Sequence, residues 1–280
     1  REENQIDEYH PSPELRYVGP DLLPFDHDDI RVYIDNLFVD GLLQPVKSLS
    51  VGIDSASWLR CGIVEDIADD QNIRKERLIE LINQNLPGEG SKHSEWTSFA
   101  FKWAKLNALI YSNSLDSDHP PIAKLGEQIN HAFSTWLGSH YSSLINLPPA
   151  DPVMLHHVAR RLARERDAYP EKRMALIVVD GLALDQWITL RPIMKEQFPN
   201  LKMQESAVFA WIPSLTSVSR QAIFSGKAPR YFPNSIDSTN SEESLWRQFW
   251  ENYKLKKYEI AYQRRLGSGD AIQSLNPGMD

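Results

Sequence analysis

The run "MALIVVDGLALDQW", Met174 to Trp187, decides how the chain is read. It opens on apolar residues rich in β-branched side chains, reaches Asp180-Gly181, and passes directly into a helical pattern. A continuous apolar run of strand length reads as a strand covered on both faces, the signature of a parallel sheet. Asp180 then stands at the carboxyl end of that strand, where open parallel sheets hold their ligands. A carboxylate in that place is costly to bury unless a cation or hydrogen-bond donors surround it. Gly181 lets the backbone turn tightly and leaves room beside the acid. Taken alone, the segment equally fits an aspartate that caps the next helix.

Downstream, the same texture repeats. "LALDQWITLRPIMKEQF" (182–198) reads as an amphipathic helix, "MQESAVFAWI" (203–212) as a second strand and "SVSRQAIFSG" (217–226) as a short helix. "SEESLWRQFWENYKLK" (241–256) reads as another helix and "YEIAYQ" (258–263) as a third strand. Strands alternating with helices predict an α/β fold with a parallel sheet.

Upstream, the pattern is helical. "QNIRKERLIELINQNL" (71–86), "SEWTSFAFKWAKLNALIYS" (94–112) and "PIAKLGEQINHAFSTWLGSHYSSLINL" (121–147) carry apolar residues at helical spacing and end at proline or glycine breaks. The first thirty residues, rich in proline and aspartate, read as an irregular lead-in, and 29–43 is ambiguous between strand and helix. Pro148, Pro149 and Pro152 mark the joint. The expected organisation is a mainly helical accessory region over 1–150 and an α/β region over 151–280.

Composition narrows the class. The 280 residues are 41% apolar and 24% charged, without an apolar run long enough to span a bilayer. The polar, acidic opening is not that of a secretory signal, and the single cysteine, Cys61, allows no internal disulfide; both point to the cytoplasm. A chain that starts on Arg1 is expected to be a piece of a longer protein. The net charge of -8 argues against a general nucleic-acid coat but allows a local basic face. Arg160, Arg161, Arg164, Arg166, Lys172 and Arg173 form one candidate, which also reads as the solvated side of an amphipathic helix.

A second chemical segment is "FAWIPSLTSVSRQAIFSGKAP", Phe209 to Pro229. Four hydroxyls, Ser214, Thr216, Ser217 and Ser219, follow Pro213 just where a helix starts. A threonine there sits in the positive end of the backbone dipole, beside free N–H groups able to hold an anion such as phosphate. A divalent metal would lower the pKa of its hydroxyl and make it a nucleophile. An N-cap cluster is the plainer reading of the same residues. Lys227 lacks the upstream glycine of a phosphate-binding loop. The adjacent His156 and His157 point in different directions on a helix and read as core or surface residues rather than a chelating pair. The tryptophans fall inside apolar patterns and read as core.

In order and at this spacing, strand–"VDGL"–helix followed by "PSLTSVSR" and "SGKAP" resembles the first half of the alkaline phosphatase superfamily core, and within it the PglZ domain of bacteriophage-exclusion (BREX) defence systems. The resemblance runs from about Arg173 to Tyr262. It implies a parallel sheet of the alkaline phosphatase type, first half only, preceded by the helical region. Asp180 matches the first-strand metal ligand. Thr216 matches the nucleophile that also touches the metal, in Pro213-Ser214-Leu215-Thr216. Asp185 and Trp187 match a D-x-W pattern, with Asp185 positioning the helix beside Gly181. Ser219-Arg220 matches a further pair, with Arg220 on phosphate. The metal implied is zinc or manganese, and carboxylate ligation admits magnesium as well.

One departure stands against these matches. The superfamily completes its two-metal site with later aspartates and histidines, yet all eight histidines here precede Asp180. The expectation is therefore a metal-dependent phosphohydrolase (phosphatase, phosphodiesterase or nuclease) whose remaining ligands lie beyond this fragment. The alternative is a non-catalytic scaffold of a multi-protein phage-defence complex. Partners expected are other proteins of that system and, through the basic face, DNA; no membrane is expected.

Overall fold

The computed structural model describes residues 38, 43, 46–47, 62–64, 67–112, 120–148 and 151–264. The lead-in, most of the ambiguous 29–43 segment, Trp58 and Cys61 lie outside the described residues. The chain forms two compact units, one of residues 1–84 with 109–115, the other of 85–108 with 116–280. The first contains a two-residue parallel pair, β1 (Val46–Lys47) on β2 (Ile63–Val64), and helix α1 (Ile67–Gln84).

The second unit includes most of α2 (His93–Ser112) and all of α3 (Pro120–Leu144), both on the predicted helical segments. It continues with α4 (His157–Ala168), α5 (Leu184–Gln197), α6 (Thr216–Ser225) and α7 (Glu242–Asn252). Its aromatic core gathers Trp96, Phe133 and Trp136 of α2 and α3 around Phe209, with ring centroids 4.9 to 6.2 Å apart. Trp136 is fully buried and satisfies its indole by donating Nε1–H to the Ser91 carbonyl at 2.7 Å. Burying a ring that size removes enough apolar area to make it a dominant contributor to the unit. The Tyr141 hydroxyl then fastens the next turn: it donates to the Ala210 carbonyl at 3.2 Å and accepts the Ile212 N–H at 2.9 Å.

The helices α4, α6 and α7 pack together. In α4, Ala159, Leu162 and Ala163 recur at spacings of three and four and meet Phe249, Trp250 and Ile260. Helix α6 ends at Gly226, whose backbone is left-handed (φ 60) and whose N–H bonds the Ala222 carbonyl. Arg160 of α4 donates Nε–H to the Gly226 carbonyl at 2.7 Å, so the turn is tied to its neighbour.

The expected parallel sheet is absent among the described residues. Residues 174–179 form neither helix nor turn and pair with no strand. Met174, Leu176 and Val178 are half-buried while Ile177 and Val179 are 69% and 62% exposed, so one face is covered and the other open. An apolar run shows only that a segment tolerates burial; a ladder needs a partner backbone, and among the described residues none hydrogen-bonds to this segment as one. The predicted second strand goes elsewhere. Phe209 donates its N–H to the Val153 carbonyl at 2.7 Å and accepts that of Leu155 at 3.2 Å, a single parallel bridge opposite Met154. The pull there is the aromatic cluster around Phe209. The predicted third strand, 258–263, is a 3-10 turn (Lys257–Glu259) followed by irregular chain.

Candidate functional site

Asp180 directly follows the unpaired 174–179 segment. The chain turns at Gly181, which takes a positive φ of 77 and has open space where a side chain would be. Asp180 does not cap the following helix: the N-cap of α5 is Ala183, whose N–H is taken by Gln186 Oε1 at 2.9 Å. Its carboxylate is 41% exposed, with Oδ2 at 3.7 Å from Arg220 Nη1. Asp185 is in the first turn of α5, where a negative charge is favourable by about 0.3–1 kcal/mol.

Helix α6 begins at Thr216, after Leu215 as N-cap, and Leu215 offers no side-chain bond to the first N–H groups. Those donors are the orphans every helix start presents. Thr216 is exposed, and Arg220, four residues on, shares its face of the helix. Arg220 thus joins the predicted residues: Thr216 through the helix face, Asp180 through the ion pair.

The structure adds residues that sequence reasoning missed. Glu242, the first residue of α7, is fully buried. Its Oε2 accepts Arg220 Nη2 at 2.7 Å and the Tyr262 hydroxyl at 2.6 Å, with Arg264 Nη2 at 3.8 Å. Arg264 also donates Nε–H to the Tyr262 hydroxyl at 3.0 Å and bonds the Thr239 carbonyl. Burial disfavours the charged Arg220 guanidinium, but its bond to Glu242 and the nearby charge of that carboxylate outweigh the burial and raise its pKa. Burial also raises the Tyr262 pKa, and its bond to Glu242 adds to the effect. In "SEESLW" nothing separates Glu242 from Glu243, yet the side chain of Glu243 is 51% exposed and its neighbour's is not exposed at all. The difference is which way the first turn of α7 faces.

An apolar groove of about 380 Å³ lies beside α6, lined by Ile145, Trp211, Ile212, Leu215 and Val218, with Arg230 and Asp237 as its charged members. At about 100° per residue, Val218 sits roughly 200° round the helix from Thr216, so the groove borders the side away from Arg220.

The donors at Asp180 and Thr216 suit a divalent cation in kind, being a carboxylate and a hydroxyl oxygen. In number they fall short: among the described residues no group of three or more His, Cys, Asp or Glu could hold a metal ion. Asp180 also has a guanidinium for company already.

The basic face is partly spent on structure. Arg160 holds Gly226, Arg161 pairs with Glu165 at 3.2 Å, and Lys172 lies 3.7 Å over the Tyr169 ring. His156 and His157 are both buried with ring centroids 4.1 Å apart. The Nδ1 of His157 accepts the Val153 and Met154 N–H groups, and His156 Nε2 meets the Ile145 carbonyl, so the pair belongs to the core. Among the described residues no helix is long and apolar enough to cross a membrane.

No curated protein and no solved structure matches the chain. Residues 158–276, which include Asp180, Thr216, Arg220, Glu242 and Tyr262, match the family model described as the BREX system PglZ alkaline phosphatase-like domain, in agreement with the resemblance read from the sequence.

Proposed function

We propose that this chain is part of a phosphoric-ester hydrolase of a phage-defence system, with residues 151–280 contributing to the hydrolase and 1–150 accessory to it. The family match over 158–276 is the observation that carries the reading. In support, Thr216 and Arg220 share one face of α6, and the Arg220 guanidinium stands 3.7 Å from Asp180. Thr216 is the nucleophile, placed in the positive end of α6 where the developing charge of a phosphoryl group is favoured. Arg220 binds a phosphate oxygen, a role suited to a guanidinium that keeps its charge. Asp180 and Thr216 would hold the expected divalent ion (zinc or manganese, with magnesium compatible), which when bound supplies positive charge to the attacking and leaving oxygens.

The test uses the natural polypeptide. Hydrolysis of bis-p-nitrophenyl phosphate and p-nitrophenyl phosphate is followed with zinc, with manganese and with neither, beside Asp180→Ala and Thr216→Ala. Metal-dependent turnover lost in both variants supports the hydrolase. A folded protein without turnover under any condition refutes it.

A second reading is favoured by a specific observation: the described residues hold no metal-binding group of three, and Asp180 is paired with Arg220. On that reading the chain is a non-catalytic scaffold that binds other proteins of the defence system in the cytoplasm. DNA binding through Arg164 and Arg173, beside the partly engaged residues of the same face, is a subordinate proposal. It requires affinity to fall steeply between low and moderate salt.

A further inference from the structure

We infer that Glu242 is a positioning residue, which with Tyr262 and Arg264 fixes the Arg220 guanidinium so that Nη1 is presented to an oxyanion beside Asp180; the inference rests on the reading of Arg220 as the phosphate contact. A buried carboxylate is costly, and it is held only where several donors converge on it. Three converge on Glu242 Oε2: Arg220 Nη2, the Tyr262 hydroxyl and, more distantly, Arg264 Nη2. The geometry divides the guanidinium. Nη2 is committed to the buried acid at 2.7 Å, while Nη1 lies 3.7 Å from Asp180, beyond hydrogen-bond length, on a side chain 26% exposed.

The charges are also informative. A single carboxylate facing one guanidinium would cancel it and leave nothing for a phosphate. Here two guanidiniums, Arg220 and Arg264, flank one buried carboxylate, so Glu242 alone does not cancel Arg220, and among the described residues the only other carboxylate at it is Asp180, across the longer 3.7 Å contact. The Tyr262 hydroxyl is spent on Glu242 and in turn accepts from Arg264, which stiffens the arrangement. The result is a guanidinium held in a fixed orientation whose Nη1 faces only the distant, partly solvated Asp180 carboxylate, which leaves that nitrogen able to meet a phosphate oxygen.

Position and charge make opposite predictions, and so they can be separated. If Glu242 acted only as a nearby negative charge, Glu242→Gln would tighten phosphate binding and Glu242→Asp, which keeps the charge, would leave it unchanged. If it positions Arg220, both variants weaken binding, because the shorter aspartate no longer reaches Nη2 in the same place. The experiment titrates the natural polypeptide with inorganic phosphate by calorimetry and measures KM and kcat for bis-p-nitrophenyl phosphate in parallel. Both variants are expected to raise the phosphate Kd about tenfold, the size of one charge-assisted hydrogen bond, and to move KM more than kcat. In an Arg220→Met background Glu242→Asp should add nothing. Tighter binding in Glu242→Gln, or unchanged binding in Glu242→Asp, overturns the inference. Should the Glu242 variants fail to fold, Tyr262→Phe keeps every charge in place: a weakening of about threefold supports positioning, and no change overturns it. Arg220→Met with the phosphate affinity of the parent, or a parent that binds no phosphate, removes the role of Arg220 itself and with it this inference. Loss in Arg220→Met with normal Glu242 variants sinks the positioning role alone.

Discussion

Gly226 offers the sharpest test of how the α4, α6 and α7 layer is built. A β-carbon added there would lie 2.6 and 2.9 Å from two ring carbons of Phe249. Phe249 cannot step aside cheaply: it is 5% exposed and packed against Trp246, Trp250 and Tyr253 with centroids 4.9 to 6.3 Å away. The backbone is a second obstacle, because φ is 60 and a left-handed conformation costs a residue with a side chain about 1–2 kcal/mol. Overpacking a filled site adds about 1–3 kcal/mol. Against this, alanine restricts the unfolded chain and returns about 0.4–1 kcal/mol. Gly226→Ala should therefore destabilise by about 1–4.5 kcal/mol. Gly181→Ala is the internal control, with φ of 77 and nothing within 4 Å, so only the backbone contribution of about 1 kcal/mol applies. The assay is urea unfolding followed by tryptophan fluorescence, which reads the transition around Trp246 and Trp250. Equal losses in the two variants would refute the reasoning, since they would mean that Phe249 does not press on the turn.

Three further outcomes are expected. His156 is held down to about 4 from 6.5, chiefly by burial, then by the neighbouring His157 and Arg160. The unfolded chain therefore takes up the extra proton in between, and the stability the neutral ring contributes is complete above about pH 6.5 and lost as pH falls towards 4, up to about 3 kcal/mol; unfolding free energies across that range should be flatter in His156→Gln than in the parent. Tyr141→Phe leaves the Ile212 N–H and the Ala210 carbonyl without their shared hydroxyl and should cost about 1–2 kcal/mol in the same urea experiment. Asp180→Asn should change stability by less than about 1 kcal/mol, because its pair with Arg220 is long and partly solvated, and Glu242→Ala should cost more, about 1.5–3 kcal/mol, by removing the charged acceptor of Arg220 and of the Tyr262 hydroxyl. A thermal melt of both settles the contrast, and a large loss in Asp180→Asn would make that residue a structural one.

Helices were legible in the sequence wherever a local period carried them. Trp96 and Phe99, or Phe249 and Trp250, fall where the spacing puts them, and Thr216 opens α6 after Pro213 as the hydroxyl cluster predicts. The parallel sheet was not, for a reason residues 174–179 make plain. Their composition records what the side chains tolerate, while a ladder is a relation between two backbones that composition does not contain. Phe209 shows the other side: read as part of a second strand of the expected sheet, it instead makes a single bridge to Met154 while its ring stacks on Trp136. Glu242 was equally hidden. First-turn acids are common, and only the face of α7 decides that one glutamate is buried with Arg220 while the next pairs outside with Arg247.

The two carboxylates that face Arg220 are unlike in a way that bears on function. Asp180 is 41% exposed and 3.7 Å from Nη1, and a pair of that kind contributes at most about 1 kcal/mol. Glu242 is wholly buried at 2.7 Å from Nη2, a contact whose loss is severe. Arg220 is accordingly anchored from below by Glu242 and only lightly occupied by Asp180, so the aspartate can exchange its partner without unsettling the helix that carries the guanidinium. An acid kept only for stability would be expected at the buried end of such a chain, with its oxygens shared among donors. Asp180 has the opposite setting: an open flank at Gly181, a weak partner and a solvent-facing oxygen. That setting suits a group whose partner changes during function, and it is the same for a hydrolase that binds a cation and phosphate there and for a scaffold that docks a cationic partner. The two uses part on what replaces Arg220 at Asp180, a divalent ion or the side chain of another protein, and metal-dependent turnover lost on Asp180→Ala separates them.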